Sequence, residues 1–201
     1  LGEDMKSYDA YLDRCLLRSE YMRKMISDLL DLTRIESGER ARTLEPCNLV
    51  EAARLAMDAL AGEAAQRGIE LVLDTRRVSI LADHTEIDII LNNLISNAIK
   101  YNRDQGKVEI AFYKKGDEVK IQVADTGIGM SAEDCSRIFN DFARIKNTRT
   151  SRILGSGLGL STVKKIALLY NGSVSVSSVP DEGTTFTVIL KDAGAADSTN
   201  R

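Results

Sequence analysis

The first 36 residues carry apolar side chains spaced three and four residues apart, which is the pattern of one long helix. The repeat is interrupted only by Arg18. Its positions are Tyr8, Tyr11, Cys15, Met22, Met25, Leu29 and Leu32. So long a stripe exceeds what a small domain needs, and a heptad-like seam is typical of helices that pack in a bundle. We predict one helix that ends near Gly38 and packs on a partner helix. Packing of the stripe on its own domain is the alternative.

From residue 41 onward, short segments with the two-residue period of strands alternate with helical stretches. We predict a strand and then a helix capped by Asn48, a second helix capped by Asp83, and a third from about 157 to 170. Further strands are predicted at 69–74, 78–83, 107–114, 118–125, 173–179 and 184–190. The first two of these form either separate strands or one hairpin. Residues 130–154 read as polar and irregular, and the whole predicts an α+β fold.

Composition excludes several classes of protein. The formal net charge is −3, which argues against a general affinity for nucleic acid. No apolar run approaches the roughly 18 residues that cross a bilayer. Cys15, Cys47 and Cys135 show neither zinc spacing nor a disulfide framework, which favours a reducing cytoplasm. The last residues, 192–201, are predicted to be disordered.

The helix predicted after Asp83 is rich in asparagine, although each asparagine costs about half a kcal/mol relative to alanine. At about 100° per residue, Asn93, Asn97 and Lys100 fall in a narrow wedge beside the apolar face. An amide oxygen is a suitable Mg²⁺ ligand, and a lysine ammonium binds phosphate. The alternative interpretation is a polar stripe that faces solvent.

The stretch DTGIGM (125–130) ends a predicted strand with a carboxylate. Asp125 shares the face of Val119, Ile121 and Val123, where a charge is costly unless it accepts hydrogen bonds. The adenine N6 amine can donate such a bond, whereas guanine presents an acceptor at that position. Bare backbone at Gly127 and Gly129 allows flat contact with a ligand. A tight turn with a capping aspartate is the alternative.

The stretch GSGLGL (155–160) leads into the third helix, where exposed backbone N–H groups and the helix dipole favour anions. The segment before it, about 131–155, is predicted to be a lid that closes over a triphosphate, or else a solvated loop. Phe139 and Phe142 would anchor one end of the lid. Its cations are Arg144, Lys146, Arg149 and Arg152.

Taken in order, the stretches NLISNAIKY, DTGIGM, IFNDFARI, GSGLGLS and GTTF resemble the N, G1, F, G2 and G3 boxes of the sensor histidine kinases. These enzymes share an ATP-binding superfamily with gyrase B, Hsp90 and MutL. The segment YMRKMISDLLDLTRIESG resembles the second helix of their dimerisation domain. The resemblance implies a partial dimerisation helix over 1–38. It also implies a two-layer α/β sandwich with a mixed sheet, the Bergerat-type fold, over 41–191.

The resemblance also implies residue roles. Asp125 would bind the adenine amine, with Gly127 and Gly129 in its turn and Thr184 supporting the site through water. Tyr101 would border the base and ribose. The positions at the phosphates would be Asn97 for Mg²⁺, Lys100 for phosphate, Arg144 for the γ-phosphate, and a cradle formed by Gly155, Ser156, Gly157, Leu158, Gly159 and Leu160.

By the same resemblance, Asn93 occupies the position at which the superfamily's ATPases have a glutamate that activates water. An amide cannot take that proton, so the sequence favours transfer to a side chain over hydrolysis. His84, the single histidine, lies outside any motif like that of the family's phosphoacceptor. The implied function is therefore the ATP-binding catalytic region of a two-component kinase whose acceptor histidine lies elsewhere.

The implied partners are Mg²⁺·ATP, a histidine-bearing helix, a response-regulator receiver domain and a second copy in the full-length protein. The implied location is the cytoplasm or the cytoplasmic part of a membrane-bound sensor. A non-catalytic regulatory scaffold, an ATPase and a serine kinase are the alternatives.

Overall fold

The computed structural model describes residues 2–37, 42–145, 150 and 155–195. Its helices are α1 (Gly2–Ser37), α2 (Leu49–Gln66), α3 (His84–Lys100), α4 (Ala132–Arg137) and α5 (Gly159–Leu169). Its strands are β1 (Glu45–Asn48), β2 (Glu70–Leu73), β3 (Ser79–Ala82), β4 (Lys107–Lys115), β5 (Glu118–Asp125), β6 (Ser173–Val179) and β7 (Gly183–Lys191). Four positions used in the predictions above, Gly38, Lys146, Arg149 and Arg152, lie outside the described residues.

The strands form a mixed five-stranded sheet and a separate two-stranded one. The large sheet has the order β2-β4-β5-β7-β6, with β2 parallel to β4 and the other pairs antiparallel. The small sheet pairs β1 with β3. The segments 69–74 and 78–83 are therefore separate strands in different sheets. The hairpin alternative is wrong because both strands pair with partners distant in the chain.

Three helices cover one face of the large sheet and enclose a single core. Val119, Ile121 and Val123 project from β5 with no exposed surface. The apolar face of α3, including Ile90 and Leu94, is equally buried against them. Burying each such side chain contributes roughly 1.5–3 kcal/mol. These layers confirm the predicted two-layer α/β sandwich with a mixed sheet.

Side-chain caps start the helices where the sequence predicts. The Asn48 side chain accepts from the Val50 amide at the start of α2, and Asp83 does the same for Thr85 at the start of α3. Within the described residues of the predicted irregular segment 130–154, helix α4 is a regular element. Its cap, Ser131, accepts from the Asp134 amide, so the prediction was wrong for residues 132–137.

The end of the chain is ordered further than predicted. Asp192 is buried, and its carboxylate accepts from the Leu81 amide and the Lys114 ammonium. A turn of 3₁₀ helix follows at Ala193–Ala195. The prediction of disorder is therefore wrong for residues 192–195, and residues 196–201 lie outside the described part of the chain.

Helix α1 runs as predicted through the whole apolar seam. The seam side chains of Tyr8, Tyr11, Met22 and Leu29 are exposed, whereas Leu32 near the C-terminal end is buried. Ile35 packs against the core of the sandwich. Among the side chains of α1 that the structure describes, those that contact the domain lie in its last turns, and most of the seam is exposed. None of the helices in the described ranges combines the length and apolar character that crossing a bilayer requires.

Candidate functional site

A pocket of about 450 Å³ opens between α3, the end of β5 and the N-terminal end of α5. Most of the residues singled out in the sequence meet there. Those that line it are Asn93, Asn97, Lys100, Tyr101, Asp125, Gly129, Arg144, Gly155, Ser156, Gly157, Gly159, Leu160 and Thr184. Residues from five separate stretches of the chain thus converge on one cavity.

Two of the predicted residues stand behind the wall of the pocket. Leu158 has no exposed surface, and its carbonyl accepts hydrogen bonds from the hydroxyls of Ser161 and Thr162. Gly127 lies beneath Asp125, to which its amide donates. Both residues support the lining without forming part of it.

Helix α3 presents Asn93, Asn97 and Lys100 to the pocket along one edge of its buried face. The Asn93 amide nitrogen donates to the Ile89 carbonyl at 2.8 Å, which directs its amide oxygen away from the helix. That oxygen faces Gly159, where a Cβ atom would collide with it. Because residue 159 is glycine, the first turn of α5 can pack closely against the Asn93 side chain.

Asp125 lines the same pocket from the end of β5. It is the last residue of β5, paired in register with Thr184 of β7. Burial raises the pKa of its carboxyl to about 6, although backbone N–H groups of Gly127 and Thr184 oppose the shift. The Gly127 amide donates to one carboxylate oxygen at 2.8 Å. A desolvated carboxylate facing a cavity is suited to accept a hydrogen bond from a ligand amine.

The wall beside Asp125 is apolar. Its side chains come from the turn after β5, the segment after α4, the start of α5 and strand β7: Ile128, Met130, Ile138, Leu160 and Phe186. The Phe186 ring meets Phe139 edge to face, with centroids 6.1 Å apart. An apolar wall next to a single acceptor fits a flat heterocycle that carries an amine. Most of this wall was not predicted from the sequence, although Ile128 and Met130 alternate with the glycines of DTGIGM.

Cations and a glycine-rich turn also line the pocket. The cations are Lys100 and Arg144, and the turn is the one that opens α5. Gly157 has φ +77°, a conformation that glycine adopts without strain, and it packs against the backbone of Phe142. Burial raises the pKa of Tyr101, while the nearby Arg144 guanidinium opposes the shift. Positive charge at a helix N-terminus is suited to phosphate groups.

Helix α1 also reaches the pocket, which the sequence did not indicate. Asp28 lines it and accepts a hydrogen bond of 2.6 Å from the Ser156 hydroxyl of the glycine-rich turn. The two residues are 128 positions apart, and no local sequence pattern around Asp28 indicates the contact.

Comparison with known families agrees with this geometry. The family described as histidine kinase-, DNA gyrase B- and HSP90-like ATPase matches residues 82–194, and the chain belongs to that family. The matched region contains α3, strands β4–β7 and, apart from Asp28, every residue that lines the pocket. It is an ATP-binding catalytic domain of the kind found in sensor histidine kinases.

Individual relatives support the same assignment. The chain is 34% identical over 177 residues to the circadian input-output histidine kinase CikA of Synechococcus elongatus, covering 86% of this chain and 24% of that protein. It is 30% identical over 201 residues to the sensor-like histidine kinase SenX3 of Mycolicibacterium smegmatis, covering 95% of this chain and 50% of that one. The chain therefore spans half or less of these two relatives.

A solved structure shows the same fold. Full-length ShkA in complex with AMPPNP superposes with a TM-score of 0.73 at 27% identity, over 85% of this chain and 36% of that one.

Proposed function

We propose that this chain is the catalytic part of a sensor histidine kinase, which passes the γ-phosphoryl group of Mg²⁺·ATP to a histidine outside the present sequence. The observation that carries the proposal is the mixed lining of one pocket. It combines the desolvated Asp125 carboxylate and apolar side chains with Asn97, Lys100 and Arg144. Adenine fits the first group of side chains and a triphosphate fits the second.

The base would be read by Asp125. Its carboxylate keeps one oxygen bonded to the Gly127 amide, and the pocket is open beside it. An adenine N6 amine would donate to acceptor capacity that the backbone leaves available, whereas guanine would place an acceptor against a carboxylate. Because an unpaired buried acceptor is costly, this contact selects adenine over guanine.

The metal would be held by the Asn97 amide oxygen. Within residues 2–37, 42–145 and 155–195, no three carboxylate, histidine or cysteine side chains converge on a metal position. A hard cation here would therefore take most of its ligands from phosphate oxygens and water, as Mg²⁺ does in nucleotide sites. Bound Mg²⁺ would neutralise charge on the phosphates, which Lys100 and Arg144 would also orient.

Asn93 favours transfer to a side chain over hydrolysis. Its amide nitrogen is committed to the Ile89 carbonyl, and an amide has no basic site near neutral pH. No general base for water is supplied at this position of α3. The contribution of the chain to catalysis is then positioning and charge neutralisation of the phosphoryl group.

The phosphoacceptor would lie on a separate helix. His84 is exposed at the start of α3 and is absent from the pocket lining. The open seam of α1 fits packing with a histidine-bearing helix and a second copy of the chain in a helical bundle. Residues 1–38 would then be the dimerisation helix and 41–191 the catalytic domain, with a lid at about 131–155. A response-regulator receiver domain in the cytoplasm would receive the phosphoryl group afterwards.

A transfer assay tests the proposal. The chain, Mg²⁺ and γ-labelled ATP are mixed with a separately made peptide containing the acceptor helix of a histidine kinase. Label on the peptide histidine, without steady release of inorganic phosphate, is the expected result. Steady ATP turnover without peptide would establish an ATPase instead, and ATP binding with neither outcome would establish a regulatory scaffold.

A further inference from the structure

We propose that Asn102 and Thr126 act as a pair of positioning residues, which hold the turn that carries Asp125 against the end of α3. The inference rests on the proposed function, since it assigns a role in reading the base. Neither residue lines the pocket, and both lie directly beside residues that do. Their contribution would therefore pass through Asp125 and Tyr101.

Asn102 is a buried amide immediately after the last turn of α3. Its side chain is almost wholly enclosed, with 3% of the residue exposed. The amide nitrogen donates to the Lys107 carbonyl at 3.1 Å, and the amide oxygen accepts from the Arg103 backbone at 3.0 Å. A buried amide must find such partners, so its orientation is fixed by the backbone on both sides.

The Thr126 hydroxyl both donates and accepts a hydrogen bond. The hydroxyl donates to the Asn102 amide oxygen at 3.2 Å and accepts from the Lys107 amide at 2.9 Å. The ladder between β4 and β5 ends at the pair Val108 and Asp125, so this hydroxyl replaces the next carbonyl of the ladder. Three residues thus form a closed hydrogen-bonded ring directly after Asp125.

The backbone after Thr126 is held to α3 as well. The Ile128 amide donates to the Tyr101 carbonyl at 3.1 Å. Gly127, between these two anchors, has no room for a Cβ atom because the Tyr101 carbonyl and the Asp125 carboxylate occupy that space. Its amide is therefore aimed at the Asp125 carboxylate, and the direction of that carboxylate depends on the anchors.

The same connection reaches Asn97, which also lines the pocket. The Tyr101 amide donates to the Asn97 carbonyl at the end of α3. Arg67 donates to the carbonyls of Ile99 and Lys100 in the last turn of the helix and to the carbonyl of Asn102 just after it. The residues proposed for the base and for the metal are thereby linked by hydrogen bonds, and loosening the pair at 102 and 126 should affect binding of the base first.

Nucleotide selectivity tests the role. Thr126→Val keeps the shape of the side chain but removes both hydrogen bonds. We expect the Kd for ADP to rise about tenfold and the preference for ADP over GDP to fall. In the transfer assay, KM for ATP should rise by more than kcat falls. Thr126→Ser restores the hydroxyl and should bring ADP affinity to within about threefold of the original.

The matched control is Thr187→Val. That residue lies on β7, away from the pocket lining, where its hydroxyl accepts from Gln122 at 3.2 Å. It should leave ADP affinity and selectivity unchanged. Thermal unfolding of each variant verifies that it is folded, and Thr126→Ala replaces Thr126→Val if the latter does not fold.

Comparison with Asp125→Asn separates the two proposals. If Asp125→Asn weakens ADP binding while Thr126→Val binds ADP with unchanged affinity and selectivity, the positioning role is refuted and the proposed function stands. If Asp125→Asn itself binds ADP normally, the proposed function fails. A loss in Thr126→Val that Thr126→Ser does not restore would also overturn the positioning role.

Discussion

The Ser156 hydroxyl donates a 2.6 Å hydrogen bond to the carboxylate of Asp28, and this contact joins the long helix α1 to the glycine-rich turn at the start of α5. Both side chains line the pocket. The same hydroxyl is bonded to the Leu158 amide at 3.3 Å, in the segment suited to hold phosphate. Docking of α1 thus places a carboxylate where the proposed ligand brings negative charge.

Removal of that charge should strengthen ATP binding. Asp28→Asn retains an acceptor for Ser156 but removes a like charge worth about 1 kcal/mol in a partly solvated pocket. We expect the Kd for ATP at low salt to fall by about three- to tenfold, while adenosine affinity stays constant. Isothermal titration with both ligands measures this. Asp31→Asn, on the same helix but outside the pocket lining, is the control; unaltered ATP affinity in Asp28→Asn would contradict the argument.

Asn97 should determine the metal dependence of binding. Asn97→Ala removes the proposed side-chain ligand of Mg²⁺, so ATP should bind equally with Mg²⁺ and with excess chelator. The comparison is a pair of titrations for each variant. Asn92→Ala is the matched control, because Asn92 lies on the exposed side of α3 with its amide bonded to the Asp88 carbonyl. Retained Mg²⁺ dependence in Asn97→Ala would place the metal elsewhere.

Asp125 should oppose stability at neutral pH. Its folded pKa of about 6 lies above the ordinary value of 3.8, because burial disfavours the charged form. A raised pKa means that the native state holds the proton longer than the unfolded state. The stabilising contribution is therefore full below about pH 4 and is lost as the pH rises through about 6.

Asp125→Asn should therefore raise the free energy of unfolding at neutral pH by about 1–3 kcal/mol, with no gain at acidic pH. The same variant should lose most of its ADP affinity. Urea unfolding at the two pH values gives the comparison, and Asp104→Asn at an exposed carboxylate is the control. Lower stability of Asp125→Asn at neutral pH would show that the buried charge of Asp125 does not destabilise the native state.

A second buried cluster stabilises the start of α3 without touching the pocket lining. The Tyr170 hydroxyl donates to Glu86 at 2.6 Å and accepts from the Asp83 amide at 2.9 Å. Arg42 makes two hydrogen bonds to Glu86 and lies over the Tyr170 ring. Burial and the Glu86 carboxylate raise the pKa of Tyr170, so the hydroxyl stays protonated.

Tyr170→Phe leaves the Asp83 amide and Glu86 each without one partner, and should cost about 1–3 kcal/mol in the free energy of unfolding. Nucleotide affinity should change little. Tyr113→Phe, on the exposed side of the sheet, should cost much less. Equal effects of the two substitutions on urea unfolding would refute a structural role for the cluster.

Local patterns predicted much of the fold. The period of α1, the caps Asn48 and Asp83, and the strand parity that turns Asp125 inward are all readable from neighbouring residues. The pairing of β2 with β4 could not be predicted from neighbouring residues, because parallel strands joined through a helix leave no turn signal. Helix α4 was missed although Ser131 and Asp134 have the spacing of a capping pair.

The site was predicted unevenly for the same reason. Asp125 carries a charge on the inward face of its strand, and Asn97 is an unfavourable helix residue beside an apolar face, which makes both conspicuous. Asp28 reaches the pocket only through the docking of α1, and the apolar wall at Phe186 depends on the sheet order. Asn102 lies just after the asparagine-rich helix and its partner Thr126 is 24 positions away, so no local pattern indicates this pair.

The most direct test of the proposed nucleotide site is a crystal structure of this chain with Mg²⁺ and AMPPNP. We expect one nucleotide in the pocket, with the adenine N6 amine within hydrogen-bonding distance of the Asp125 carboxylate and Mg²⁺ bound by the Asn97 amide oxygen. A nucleotide whose base lies away from Asp125, or whose metal is held by other side chains, would contradict it.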